Sequence, residues 1–119
     1  MSTFTVEATL IHPEHRERVV TAEFLVDTGA TYSLLPREIV ERLGLATPEE
    51  LSAVLASGDR VVYGVGEVRV RLGRRERTAV FLAGPRGCRP LLGAFTLEAF
   101  ALAADPVNRL LISAPPALL

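Results

Sequence analysis

Alternating apolar and polar side chains predict strands along most of the chain. In residues 3–11 every second side chain is apolar, from Phe4 to Leu10, with Thr5, Glu7 and Thr9 between them. A period of two is typical of a strand with one buried and one exposed face. Similar patterns, bounded by turn-forming residues, predict further strands at 18–26, 51–56, 60–72, 78–82 and 109–112.

Two segments follow a helical period instead. In residues 36–45, Ile39, Val40 and Leu43 form one apolar face, and Gly44 is placed to end the helix. Pro36 suits the first helical position, where its missing N–H costs nothing. Residues 96–102 predict a second, shorter helix, and residues 46–50 a polar connection.

Turn-forming residues organise these segments into a mostly β fold. The triplet Ser57-Gly58-Asp59 joins the strands at 51–56 and 60–72 into a hairpin. Many short strands with Gly-rich turns and only two short helices are typical of a mostly β domain. We expect a single domain over residues 1–119, with a loosely ordered tail at 113–119.

Composition narrows the functional classes. The net charge of −1 over 119 residues provides no basic surface for nucleic acid. The single cysteine, Cys88, excludes an internal disulfide and favours a reducing compartment. The amino terminus lacks the pattern of a signal peptide, and no stretch reaches the roughly 18 apolar residues that cross a bilayer. We therefore expect a soluble, cytoplasmic protein with neither a nucleic-acid nor a membrane partner.

The triplet Asp27-Thr28-Gly29 is the strongest candidate for chemistry. An apolar strand ends at the carboxylate of Asp27, and Gly29 can turn sharply enough to bring backbone amides close to it. A carboxylate held in this way can transfer protons or activate water. The same triplet also occurs as an ordinary turn, since Asp and Gly are common turn residues. Its flanking residues distinguish the two readings.

A second segment, Pro90-Leu91-Leu92-Gly93-Ala94-Phe95, places two bulky apolar residues and a glycine before a short helix. With the apolar segment that ends in Asp27-Thr28-Gly29-Ala30 and the intervening hairpin, the order resembles the single-domain retropepsin-like aspartic proteases. The likeness covers residues 18–112. It is greatest to small prokaryotic members, which share the Leu-Leu-Gly-Ala, Leu-Glu-Ala and Asp-Pro-Val-Asn-Arg patterns present at 91–94, 97–99 and 105–109.

This resemblance implies a fold and a set of site residues. The fold is a closed acid-protease barrel with a flap hairpin and one or two short helices. Asp27 matches the catalytic aspartate, Thr28 the residue whose hydroxyl braces the site across a dimer, and Gly29 the glycine beside the acid. Ala30 matches the small residue that follows, and Ser57, Gly58 and Asp59 match the flap tip that closes over a bound peptide. Leu91, Leu92 and Gly93 match the segment that packs beneath the loop.

A single copy of the chain carries only half of such a site. Of its three aspartates, only Asp27 lies in an Asp-Thr-Gly setting; the others are Asp59 and Asp105. Aspartic proteolysis uses two carboxylates that share a proton, so we expect a homodimer that pairs two copies of Asp27. The pair would activate water against a peptide or protein substrate, without a metal or organic cofactor. Residues 1–11 are the candidate dimer strand, because the tail is rich in proline.

Three functions remain open on the sequence: an aspartic endopeptidase, a catalytically silent dimeric module that binds peptides or a partner, and a hydrolase of non-peptide substrates.

We interpret the other candidate residues as structural. His12 and His15 lack a third metal ligand nearby, and nothing around Cys88 indicates an activated thiolate. Asp105 reads as a turn residue, and the Gly64-Val65-Gly66 segment is too short for a phosphate loop.

Overall fold

Nine strands and two short helices make up the fold of residues 3–119, the part of the chain that the computed structural model describes. The strands are β1 (Thr5–Ile11), β2 (Val19–Val26), β3 (Ser33–Leu35), β4 (Glu49–Val54), β5 (Arg60–Leu72), β6 (Arg75–Ala83), β7 (Leu91–Leu92), β8 (Leu102–Asp105) and β9 (Leu110–Ser113). The helices are α1 (Arg37–Leu43) and α2 (Ala94–Ala99). Neither described helix is long and apolar enough to cross a membrane.

Six of the strands close into a ring. The seven-stranded sheet has the order β1-β2-β7-β3-β6-β5-β4, and β1 pairs in addition with β5. The closing pairs are antiparallel and join Thr9, Leu10 and Ile11 to Arg71, Val70 and Arg69. Strand β4 lies outside the ring because it pairs only with β5, so the β4–β5 hairpin projects from the sheet.

The main core fills the ring with apolar side chains that the strand periodicity directs inward. Phe24, Phe81 and Phe100 are its largest members and are almost fully buried. Leu10 of β1 and Val70 of β5 meet in this core across the closing pair. Burial of a large apolar side chain contributes about 1.5–3 kcal/mol, so these residues account for much of the fold's stability.

A second, smaller core lies between the amino terminus, the end of β2 and the β8–β9 sheet. Phe4, Val26 and Leu97 form its centre, with Leu102 and Leu111 packed against them. Val26 directly precedes Asp27, so this core fixes the strand end from which the candidate site begins.

Helix α1 is shorter than the predicted 36–45, because it begins one residue later and ends at Leu43, although Gly44 closes it as expected. Gly44 adopts a left-handed conformation with φ of 69°, and its N–H donates to carbonyl oxygens of the last helical turn. Pro36 is the N-cap residue, with extended backbone angles, rather than the first helical residue. The apolar face predicted from Val40 and Leu43 is buried.

Several predicted boundaries need correction. Helix α2 occupies Ala94–Ala99 instead of 96–102, because Ala101 takes a positive φ of 54° and turns the chain into β8. Strand β4 begins at Glu49, within the expected connection at 46–50. Strand β6 extends beyond 78–82 to Arg75–Ala83, and β9 ends at Ser113. The short strands β3, β7 and β8 were not predicted.

A charged cluster fastens the β1–β2 turn to the β5–β6 hairpin. Glu76 accepts two hydrogen bonds from Arg16 at 2.9 Å and one from Arg69 Nε at 2.9 Å, with Arg71 at 3.4 Å. The hydrogen bonds from Arg16 and then Arg69 lower the pKa of Glu76 to about 2. The cluster lies beside the pairs that close the ring.

Candidate active site

The Asp27 loop begins where β2 lies beside β7. Val26 pairs with Leu92 in a parallel register, and the Asp27 N–H donates to the Leu92 carbonyl at 3.0 Å. Strand β3, which follows the loop, pairs with the other side of β7 through Leu34 and Leu91. Both ends of the loop are therefore anchored on the Leu91-Leu92 segment, which the family resemblance implied to lie beneath it.

The carboxylate of Asp27 is oriented by its own loop. Its Oδ1 accepts a hydrogen bond from the Gly29 N–H at 3.0 Å, and the Ala30 N–H donates to the Asp27 carbonyl at 3.2 Å. A Cβ on Gly29 would lie 3.2 Å from Oδ1, so glycine leaves room for this contact. Asp27 is half-buried, and Oδ2 accepts no hydrogen bond from any residue in 3–119.

The neighbouring residues present polar groups to solvent. Thr28 and Gly29 are exposed, and Ala30 is half-buried. The Thr28 hydroxyl has no hydrogen-bond partner among the residues that the structure describes. One oxygen of the acid is thus held in place, while the other oxygen and the adjacent hydroxyl remain available to a second molecule.

Two buried hydroxyl groups to which the sequence assigned no role hold the base of the loop. Ser33 Oγ lies 2.6 Å from Thr96 Oγ1 and accepts a hydrogen bond from the Gly93 N–H at 3.1 Å. Ser33 and Thr96 are 3% and 1% exposed. They connect the start of β3 to the first turns of α2, so the loop between β2 and β3 has a rigid support.

Gly93 permits the close approach of these segments. A Cβ at this position would meet the Tyr32 carbonyl group, with its carbon at 2.5 Å, and the Ala30 carbonyl oxygen at 2.9 Å. The chain passes close enough for the Ala94 and Phe95 N–H groups to donate to the carbonyls of Ala30 and Thr31. A larger residue at position 93 would therefore displace the loop.

The predicted flap residues form the tip of the β4–β5 hairpin. Gly58 has a φ of 91°, Ser57 Oγ donates to Asp59 Oδ2 at 3.0 Å, and the Leu55 N–H donates to the Asp59 carbonyl at 2.9 Å. Within residues 3–119, no hydrogen bond or ion pair joins this tip to the Asp27 loop. The structure thus forms the two parts of the predicted site separately, and the role of the tip stays a prediction.

Other residues considered from the sequence have structural partners. His12 Nδ1 accepts hydrogen bonds from the Glu14 and His15 N–H groups, each at 3.0 Å. Asp105 accepts hydrogen bonds from Val107 and Asn108, which stabilise the β8–β9 turn; those from Asn108 lower its pKa most. Burial, followed by the charge of Glu38, raises the pKa of the Cys88 thiol. A thiol with a raised pKa is a poor nucleophile.

Comparisons with known proteins agree with this geometry. A family model described as aspartyl protease matches residues 15–94, about two thirds of the 119 residues. None of the curated proteins matches the chain significantly in sequence.

Two solved structures share the fold. The retroviral protease-like domain of Ddi1 from Leishmania major is 18% identical with a TM-score of 0.66, over 95% of this chain and 89% of that one. EIAV protease in complex with the inhibitor HBY-793 is 19% identical with a TM-score of 0.58, over 81% of this chain and 86% of that one. At these identities the likeness concerns the fold, and it confirms the predicted mostly β, retropepsin-like class.

Proposed function

Because the chain belongs to the aspartyl protease family, we propose that it is a homodimeric aspartic endopeptidase in which each copy supplies one Asp27. The observation that carries the proposal is the half-complete site. The Gly29 N–H fixes one carboxylate oxygen, and the other has no partner in residues 3–119. A two-fold axis beside this loop would bring two such carboxylates together.

The paired carboxylates would carry out the chemistry through a shared proton. Two acids so close together do not both ionise, so one is a base and the other an acid, and the pair titrates as a unit. The charged carboxylate removes a proton from a water bound between them. The protonated carboxylate donates to the peptide carbonyl oxygen as the water attacks. The tetrahedral diol then collapses: the carboxyl that took the proton from water gives it to the amide nitrogen as the C–N bond breaks, and a diol hydroxyl returns a proton to the other carboxylate.

The β4–β5 hairpin is the proposed substrate flap. Its outer strand, β4, pairs only with β5 among the described strands, so its other edge can bond to an extended peptide backbone. Ser57, Gly58 and Asp59 at the tip, and Ala30 beside the acid, are the proposed substrate-contacting residues. The inhibitor HBY-793 is bound by EIAV protease, not by this chain. By analogy, we propose that this chain also binds a ligand, and that its ligand is a peptide.

The β8–β9 sheet is the proposed contact between the two copies. It is separate from the ring, and no described strand pairs with the outer edge of β9. Leu110 and Ile112 lie two positions apart on β9, and so on the same face, and they are 44% and 42% exposed, so they present adjoining apolar surface. Strand β1, the candidate from the sequence, pairs with β2 along its length and with β5 only at Thr9, Leu10 and Ile11, so its part in the contact stays a prediction; Met1 and Ser2 lie outside the described residues.

The cellular setting is proposed from composition alone. The chain has one cysteine and so forms no internal disulfide, which suits a reducing, cytoplasmic environment. The balanced charge supports a protein or peptide substrate over nucleic acid.

Cleavage of a peptide library from acid to neutral pH, with wild type and Asp27→Asn, tests the proposal. We expect the variant to fold and dimerise but to lose turnover, because the amide keeps the shape of the acid and cannot ionise. Glu23→Gln is the matched control, since it removes an exposed carboxylate on β2 that lies outside the loop. Cleavage retained by Asp27→Asn would contradict the mechanism.

Sedimentation of the same samples separates the remaining alternatives. A stable dimer that cleaves nothing would favour a silent module that binds peptides or a partner. Turnover that depends on Asp27 with non-peptide esters, and with no peptide of the library, would favour a different hydrolase.

A further inference from the structure

A cavity of about 480 Å³ opens at the root of the β4–β5 hairpin, away from the Asp27 loop. It lies between the β1–β2 turn, the connection from α1 to β4, and the middle of β5. None of the residues of the candidate active site lines it. Glu49, the first residue of β4, is part of its wall, so an occupant would touch the base of the hairpin.

Two glycines of β5 explain how the wall of the cavity is formed. A Cβ on Gly66 would collide with the Ala46 carbonyl oxygen, and one on Gly64 would lie 2.9 Å from Thr47 Cβ. The connection after α1 therefore rests directly on the backbone of β5. This contact accounts for the Gly64-Val65-Gly66 segment, whose purpose the sequence left unassigned.

The remaining surface of the cavity combines apolar walls with unpaired acids. Leu45 and Val80 supply apolar surface. Glu14, Glu49 and Glu67 also line the cavity, all three are exposed, and none forms an ion pair or a side-chain hydrogen bond with the described residues. No arginine lines it. The charge of this space is therefore complementary to a cation.

His12 adds a hydrogen-bond donor to the same space. It lines the cavity and is only 7% exposed. Because Nδ1 accepts two backbone hydrogen bonds, the proton of the neutral ring is on Nε2. Nε2 has no partner in residues 3–119, and no fully buried side-chain nitrogen there is unpaired, so this N–H reaches open space. It is therefore free to donate a hydrogen bond to an occupant of the cavity.

We propose that this cavity binds the amino-terminal residue of a peptide that begins with an apolar side chain. The α-ammonium group is attracted by the negative charge of Glu14, Glu49 and Glu67 around the cavity, although these acids do not converge into a metal-type cluster among the described residues. The first carbonyl oxygen accepts the hydrogen bond from His12, and the apolar side chain contacts Leu45 and Val80. A simple amine lacks the acceptor, and a simple alcohol lacks the charge.

An NMR titration with L-leucinamide tests this assignment, because the probe carries the ammonium, the carbonyl and the apolar side chain. Three relatives each lack one feature: N-acetyl-L-leucinamide the charge, isoamylamine the carbonyl, and glycinamide the side chain. At about pH 6 the amine is protonated, since an α-amino group titrates near 7.7–8.0. We expect saturable shifts of the Ala46 and Gly66 amides, and weaker binding of each relative by about threefold or more.

Variants locate the charge. We expect Glu49→Gln and Glu67→Gln each to weaken L-leucinamide about two- to fivefold, as for an exposed ion pair, and the control Glu23→Gln to leave it unchanged. Any one of four results would overturn the proposal. These are equal binding of N-acetyl-L-leucinamide, an equal loss of affinity in Glu23→Gln, and amide shifts centred on another part of the protein. The fourth is a titration that does not saturate by about 50 mM, far above the range for a specific site. The titration requires no peptide cleavage, so its result is independent of the proposed protease activity.

Discussion

At the scale of single residues, the candidate site depends on a hydroxyl pair that never touches the acid. Ser33 accepts from the Gly93 N–H and bonds to Thr96, and these contacts fix the turn into α2 against the loop that carries Asp27. Both hydroxyls are buried, so water cannot replace either of them. Loss of one hydroxyl therefore leaves its hydrogen-bond partners unsatisfied.

Ser33→Ala should destabilise the protein by about 2 kcal/mol, because it leaves the buried Gly93 N–H and the Thr96 hydroxyl unsatisfied. Chemical denaturation monitored by circular dichroism measures the change. Ser113→Ala, at an exposed position on β9, should change stability by less than about 0.5 kcal/mol. Equal effects of the two substitutions would show that the hydrogen bonds of Ser33 do not contribute to the free energy of unfolding.

The sequence predicts the acid but not its support. Asp27, Thr28 and Gly29 are adjacent in the chain, so their arrangement follows from local turn chemistry and from the family pattern. Ser33 and Thr96 lie 63 residues apart, and each is an unremarkable hydroxyl in its own segment. Their partnership exists only after β7 has inserted between β2 and β3.

At the scale of elements, the turns of the β4–β5 and β5–β6 hairpins offer a controlled comparison. Gly58 at its tip and Gly73 in the β5–β6 turn both have positive φ, at 91° and 60°. A Cβ at either position would meet no atom within 4 Å, so only the backbone conformation resists substitution.

Gly58→Ala and Gly73→Ala should each cost about 1 kcal/mol of stability, the penalty for a side chain in the left-handed region. Only Gly58→Ala should also change kcat/KM for peptide cleavage, because only that turn belongs to the proposed flap. Thermal melts and steady-state kinetics on both variants provide the test. A matched loss of kcat/KM in Gly73→Ala would remove the support for a flap.

The elements that the sequence missed share a physical cause. Strands β3 and β7 have three and two residues, too few to display alternation, and they exist because neighbouring strands complete their hydrogen bonds. The end of α2 was misplaced because the positive φ of Ala101 has no glycine to mark it. Longer elements with a clear period, such as β2, β5 and α1, were placed within one or two residues.

At the scale of the whole molecule, the Glu76 cluster makes stability depend on pH. Its pKa falls from 4.5 to about 2 in the folded state, through hydrogen bonds from Arg16 and Arg69. A lowered carboxyl pKa stabilises the fold above the unfolded value of 4.5, and the contribution disappears as pH falls toward about 2.

Glu76→Gln should therefore lower the free energy of unfolding at pH 7 by about 1–2 kcal/mol, a range that allows for solvent screening. The gap between variant and wild type should narrow as pH falls from 4.5 to about 2. Urea denaturation across this range measures it, with Glu7→Gln, an exposed acid on β1, as the control. A gap that stays constant with pH would contradict the assigned cause.

Dimer formation is the other property of the whole molecule, and Thr28 is its proposed reporter. Its hydroxyl is exposed and unpaired within the described chain, so a second copy can supply the partner. Thr28→Ala should weaken the dimer by about 1 kcal/mol for each copy, the net value of one hydrogen bond. Sedimentation equilibrium gives the dissociation constant. Thr31→Ala, on the same loop and also exposed, should leave it unchanged.

The closure of the ring also sets the order in which the chain can fold. The pairs of β1 with β5 join residues about 60 positions apart. The chain between them must therefore lose conformational entropy before these pairs can stabilise the fold. The hairpins β4–β5 and β5–β6 bring together near neighbours and can form without that delay. The two hairpins would therefore form first, and the amino-terminal strand would pair with them later. Proteins dominated by such distant pairings reach their native state in milliseconds to seconds.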